Sequence, residues 1–198
     1  AEQGEEPPPP RLVAESELVA FVGALPRCGT TTVLAGWALA RAEGGEEVIV
    51  IDAHAERPFL PVHLMGRVAR QGWMDALHMS VARLTRYVVP VAGVERLRMM
   101  PLGWNPAVEA PVGHEVAGRL PDVVEAARRA GGTAIAVDLG AFRPLCNQQV
   151  DARLQWAARE AGIVAIVTPN DVLGIDAAAR MVVAARAEGA RKVVLLLV

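Results

Sequence analysis

The sequence predicts a three-layer α/β/α domain built around a mostly parallel sheet. Two observations carry that prediction. Short apolar runs that stop at glycine, proline or aspartate alternate with Ala- and Leu-rich segments of helical length from Leu18 to Val198. Hydrophobic residues fill 53% of the 198 positions while aromatics fill only 4%, so the core must come from Ala, Val, Leu and Ile. Apolar runs of this kind suit strands buried on both faces. Strand–helix alternation builds right-handed βαβ units with helices on both sides of the sheet. The length suits one domain with a sizeable core.

The elements follow in order. Residues 1–17 read as a Pro-rich, disordered tail or linker, acidic and then all proline from Pro7 to Pro10; such a run favours extended polyproline II and packs no core. Residues 18–198 form the domain. Leu18 to Gly23 is the first buried strand, and Thr30 to Glu43 is a helix ended by Gly44 and Gly45. Val48 to Asp52 is the second strand. Between Arg57 and Pro111 the pattern is less regular, with a short helical piece over Trp73–His78 and a third strand over Arg98–Leu102. Pro121 to Ala130 is helical, and Thr133 to Asp138 is the next strand. Asp151 to Ala161 is a helix ended by Gly162, followed by the strand Ile163–Val167. Asn170 or Asp171 caps a helix that runs to Glu188, and Val193 to Val198 is the last strand. The chain starts with Ala and ends inside an apolar run, as expected of a domain taken from a longer protein and cut short at its C-terminus.

Composition excludes several functions. A formal net charge of −2 lacks the electrostatic footprint of a dedicated nucleic-acid binder. Two cysteines, Cys28 and Cys146, make no disulfide framework, so a reduced, cytoplasmic compartment is expected. No apolar stretch is long enough to span a bilayer, and the acidic start does not resemble a signal peptide. Of twenty basic residues only Lys192 is a lysine, so any chemistry that needs a lysine elsewhere is excluded.

In an open α/β sheet a ligand sits beyond the carboxyl ends of the strands. After the first strand comes Gly23-Ala-Leu-Pro-Arg-Cys-Gly-Thr-Thr-Thr32 and then a helix. That is the setting of a phosphate-binding loop, in which helix N-terminal amides and the dipole favour an anion. Against the pattern G-x-x-x-x-G-K-[ST], Gly29 and Thr31 match the second glycine and the metal-binding hydroxyl. The lysine position is Thr30 and the first glycine position is Ala24. The plain reading is a Gly-rich turn capped by Thr30. Two further strands end in aspartate, Asp52 and Asp138, and a carboxylate at the mouth of the sheet is what a nucleotide-bound Mg²⁺ or its water requires.

The order and spacing of these segments resemble the MinD/ParA-type, deviant Walker A, P-loop ATPases. The resemblance is nearest to the cellulose-synthesis accessory ATPases, the pilus-assembly relatives and the ATPase domain of exopolysaccharide tyrosine kinases. It rests on Leu25-Pro-Arg-Cys-Gly-Thr-Thr-Thr32 against the family's K-G-G-x-G-K-T-T, and on Ile51-Asp-Ala-His54 with Arg57-Pro58 against its I-D-A-D and R-P step. Gln71-Gly-Trp-Met-Asp-Ala-Leu77, Met99-Met-Pro-Leu-Gly103, Ala136-Val-Asp138 and the final Gly189–Val198 step complete it. The resemblance implies a P-loop NTPase-like fold that binds ATP or ADP with Mg²⁺. Arg27, Cys28, Gly29, Thr30, Thr31 and Thr32 would contact the nucleotide; Thr31, Asp52 and Asp138 would serve the metal; Asp52 and Arg27 would be the catalytic candidates. It also implies a protein partner in an envelope-assembly complex, a homodimer, and membrane association through a partner.

The departures bear on activity. Thr30 replaces the P-loop lysine, Leu25 replaces the family's signature lysine, and His54 replaces the second acid of I-D-A-D. A missing preorganised contact to a transferring phosphoryl group costs about 3–4 kcal/mol. Arg27 is the only cationic replacement in the loop. The expected function is a nucleotide-binding regulatory or scaffolding domain with weak or no ATP hydrolysis, serving exopolysaccharide or cellulose secretion or pilus assembly; if active, it is an ATPase. The alternatives are an active dimerising ATPase for spatial positioning, a RecA-like DNA-damage accessory domain, and a pseudoenzyme that only binds partners. The four histidines show no close metal spacing, Cys28 reads as a space filler, and Trp37, Trp73, Trp104 and Trp156 read as packing residues. Tyr87, the only tyrosine, argues against tyrosine autophosphorylation.

Overall fold

The computed structural model describes residues 16–76, 79–103, 113–141 and 150–198. Residues 1–15 of the expected 1–17 tail, together with His78, Trp104 and Cys146, lie outside them. Among the described residues, seven strands form one sheet: β1 (Glu17–Gly23), β2 (Val48–Asp52), β3 (Val89–Pro90), β4 (Leu97–Met100), β5 (Ala134–Ala141), β6 (Ile163–Thr168) and β7 (Val193–Leu197). Their order is β3-β4-β2-β5-β1-β6-β7. All pairings are parallel except β3 with β4. The described α-helices are α1 (Thr30–Glu43), α2 (Leu60–Met65), α3 (Val81–Leu84), α4 (Gly113–Arg129), α5 (Ala152–Glu160) and α6 (Val172–Ala187).

The three layers follow from strand alternation. Leu18, Ala20 and Val22 of β1 point to one face, where they join buried residues of α4, α5 and α6. Val19 and Phe21 point to the other, where Leu34 and Ala38 of α1 and Leu60 of α2 lie. Period-two side chains in a strand buried on both faces require this division. Trp73 and Phe21 are the largest fully buried side chains, and the rest of those ranked with them are Leu, Ile and Met.

Several boundaries differ from the expected ones. β1 takes in Glu17, whose amide donates to Thr133 O at 3.0 Å and whose carboxylate pairs with Arg41 at 2.7 Å. β4 is Leu97–Met100 rather than Arg98–Leu102, because Pro101 has no amide to continue the ladder. α4 begins at Gly113, eight residues before Pro121, which sits inside the helix. Pro121 removes one intrahelical bond, but Val116, Leu120, Val123 and Val124 are all buried on one side and hold the helix together across it. β5 runs on past Asp138 to Ala141, with Leu139 fully buried. Trp73–Ala76 is a 3₁₀ turn, and Asp171 rather than Asn170 caps α6, its carboxylate accepting from Gly174 N at 2.7 Å.

Two of the segments that carried the family resemblance pack on each other. Trp73 N donates to Pro101 O at 3.0 Å and Met74 N to Leu102 O at 3.1 Å. The backbones approach so closely that a Cβ on Gly72 would lie 2.1 Å from Gly103 N. Trp73 then sends its indole N–H to Asp52 O at 2.9 Å, which fixes the end of β2.

Candidate functional site

The carboxyl ends of β1, β2 and β5 open into a cleft of about 460 Å³. One wall is the loop from Pro26 to Thr32, the other is the segment from His54 to His63, and Gly140 with Ala141 complete the lining. This volume lies within the range of small-molecule sites.

The loop turns tightly beneath α1. Gly29 caps the helix in the left-handed region at φ 83°, with no side-chain cap. The first amides of a helix have no intrahelical acceptor, so those of Thr30, Thr31 and Thr32 face the cleft end of the helix dipole. Gly23 must be glycine, since a Cβ there would lie 2.5 Å from Thr30 Oγ1 and 2.8 Å from Cys28 Sγ. Arg27 is the only described non-glycine residue at positive φ, 64°. It is exposed, lines the cleft, and makes no ion pair among the described residues.

The predicted site residues do not play equal parts. The Cys28 thiol is buried and donates to Val167 O at 3.2 Å, so it ties the loop to β6 as a packing residue. Thr30, at the lysine position, is 5% exposed and its hydroxyl lies 3.3 Å from that thiol. Thr31 Oγ1 donates to Asp138 Oδ2 at 2.6 Å, while Gly140 N donates to Asp138 Oδ1 at 3.0 Å. Thr32 lines the cleft at the start of α1.

Asp52 and Asp138 are fully buried and are paired in register on β2 and β5. Neither is a lining residue. The residues two positions further on, His54 and Gly140, line the cleft instead. Asp52 Oδ1 accepts from His54 N at 3.2 Å. Its Oδ2 is buried without a hydrogen-bond partner among the described residues. Burial pushes the Asp52 carboxyl well above the usual carboxylate range, and the neighbouring Asp138 charge pushes it further.

Sequence reasoning missed a second cluster beside the loop. Arg153, at the start of α5, is 2% exposed and donates to both oxygens of Glu56 at 3.1 Å, to Asp151 Oδ2 at 3.0 Å and to Leu139 O at 3.3 Å. The Arg153 hydrogen bond holds the Glu56 carboxyl below its ordinary value against the opposing effect of burial. His54 packs on Gly140, where a Cβ would lie 2.2 Å from the imidazole. Burial lowers the His54 pKa, and its Nδ1 has no partner among the described residues. No local signal links positions 56 and 153; only the pattern of an R-P step marked this wall.

The residues present fit a nucleotide with Mg²⁺. The Thr31–Asp138 hydroxyl–carboxylate pair offers the hard oxygen donors that such an ion takes alongside phosphates and water, and the unpartnered Asp52 oxygen lies on the neighbouring strand.

The chain shares its fold with solved ParA- and MinD-type ATPases and with the kinase domain of a bacterial tyrosine kinase. It superposes on the kinase domain of the Escherichia coli tyrosine kinase ETK with a TM-score of 0.71, over 92% of this chain and 67% of that one, at 17% identity. A ParA family ATPase from Chlorobium tepidum gives 0.70 over 92% and 73% at 18% identity. The septum site-determining protein MinD from Pyrococcus horikoshii, solved with Mg-ADP, gives 0.64 over 92% and 68% at 17% identity. No protein-family model matches the sequence, and no curated protein is significantly similar to it. No described helix is long and apolar enough to cross a membrane.

Proposed function

We propose that this chain is a nucleotide-binding regulatory or scaffolding domain with weak or no ATP hydrolysis. The observation that carries the reading is the Gly29-capped N-terminus of α1, with Thr31 bound to Asp138, opening on a cleft that no lysine reaches. Thr30, Thr31 and Thr32 bind phosphate through backbone amides, since the Thr30 hydroxyl is turned inward. Thr31 and Asp138 would hold Mg²⁺, with Asp52 behind them. When bound, the ion would neutralise phosphate charge.

Slow or absent turnover is supported by the state of Asp52. Asp52 is fully buried and does not line the cleft, so its carboxyl is poorly placed to take a proton from an attacking water held there. The place in an envelope-assembly complex rests on the segment resemblance given above. A second reading, a dimerising ATPase, is favoured by Arg27. Its backbone conformation is one that non-glycine residues seldom adopt, and such strain often persists where a side chain must be presented.

Thermal shift with ATP, ADP and GTP plus Mg²⁺ tests the proposal: a rise in Tm at millimolar nucleotide is expected, and no shift with any of the three overturns nucleotide binding. Turnover that disappears in Asp52→Ala would favour the second reading.

A further inference from the structure

The cleft wall formed by the β2–α2 segment carries Glu56 and Arg57 side by side. Glu56 is already taken, because Arg153 holds both of its oxygens at 3.1 Å. Arg57 makes no side-chain hydrogen bond or ion pair among the described residues. Glu56 is the only carboxylate among the described lining residues, which leaves two guanidinium groups without an ion pair among the described residues, Arg27 on the loop and Arg57 opposite. Unpaired cations lining one concavity draw an anion into it.

The backbone presents Arg57 to the cleft. Its amide donates to His54 O at 3.1 Å, its carbonyl accepts from Phe59 N at 2.8 Å, and buried Pro58 fixes the chain between them. Its charge is close enough to His54 to help lower the pKa of that ring.

We propose that Arg57 is a phosphate-binding residue, reaching a polyphosphate from the β2–α2 wall and supplying positive charge that the loop lacks a lysine to supply. The inference rests on the nucleotide-binding reading and names the ligand class more closely. A cleft of about 460 Å³ lined by both the loop and the opposite wall has room for a chain of linked phosphoryl groups. The planar guanidinium suits such oxygens through paired hydrogen bonds.

The test is calorimetric titration of the wild-type chain, Arg57→Gln and Arg57→Lys with MgATP and with inorganic tripolyphosphate, alongside the Tm of each without ligand. Arg57→Gln is expected to weaken both ligands about tenfold, Arg57→Lys to recover part of the loss, and the unliganded Tm to stay unchanged. Arg57→Gln affinities within twofold of wild type for both ligands overturn the inference. If the wild type binds no nucleotide, the functional reading fails and tripolyphosphate decides for Arg57. A tenfold loss there upholds the anion site, and no wild-type binding or no loss overturns it.

Discussion

Asp52 and Asp138 are Cα partners on adjacent parallel strands, and both carboxylates are fully buried. Only Asp138 has a donor on each oxygen, from the Thr31 hydroxyl and the Gly140 amide. Asp52 has one amide at 3.2 Å and one oxygen without a partner. Two carboxylates side by side in a dry sheet raise the cost of charge, and burial with the neighbouring Asp138 pushes the Asp52 carboxyl well above the usual carboxylate range.

Asp52→Asn therefore stabilises the free protein. The folded carboxyl titrates well above the ordinary aspartate value, so the native state holds its proton more tightly than the unfolded chain. Stability is full below that value and falls as pH rises through the folded pKa. Thermal melts are expected to show a gain in Tm on the order of a few degrees for Asp52→Asn at pH 8, shrinking toward zero near pH 4. A constant difference across pH would contradict the assignment.

Arg27→Gly relieves the left-handed backbone and removes a cleft cation in one step. Stability is expected to rise by up to about 1 kcal/mol, offset in part by the flexibility glycine gives the unfolded chain. Nucleotide affinity is expected to fall. Denaturant melts and titration together check it: a loss of stability would show that Arg27 makes contacts that outweigh its strain.

Arg153→Ala leaves Asp151 without a counter-ion and releases Glu56 from its wall. A loss of about 2–3 kcal/mol is expected, below the range for a fully buried pair because Glu56 is half in water. Arg153→Lys is expected to recover little, since an ammonium does not satisfy two carboxylates and a carbonyl in that geometry. Urea unfolding of both variants measures this.

Gly140→Ala places a Cβ 2.2 Å from the His54 ring at a φ of 71°. The expected loss is about 2–4 kcal/mol from overpacking and backbone strain. His54→Ala in the same chain is expected to return the packing part and leave the strain. A double variant no more stable than Gly140→Ala alone would show that the ring does not set the cost.

The layers and most element positions were readable because the signals are local. Runs such as Val48–Asp52 and Ile163–Val167 have no polar alternation, and α1 is bounded by Gly29 and Gly44. The start of α4 was not readable, because Pro121 looks like a helix start while the stripe that overrides it lies partly upstream at Val116. β3 is two residues long and gives no pattern. At the site, the loop and both aspartates could be placed from sequence, whereas their solvent access could not. That depends on His54, just after β2, and Gly140 of β5, which the fold brings together. The Glu56–Arg153 pair spans 97 positions, so the freedom of Arg57 became visible only in three dimensions.

The contact of His54 with Gly140 has a consequence for the history of this sequence. The imidazole occupies the volume that any side chain at position 140 would need. The two sites are therefore expected to drift as a pair: a descendant with a larger residue at 140 must first have lost the ring at 54. Covariation between them would record this shared volume, and a comparison of relatives that read position 54 as a lost acid alone would mistake a packing constraint for a chemical one.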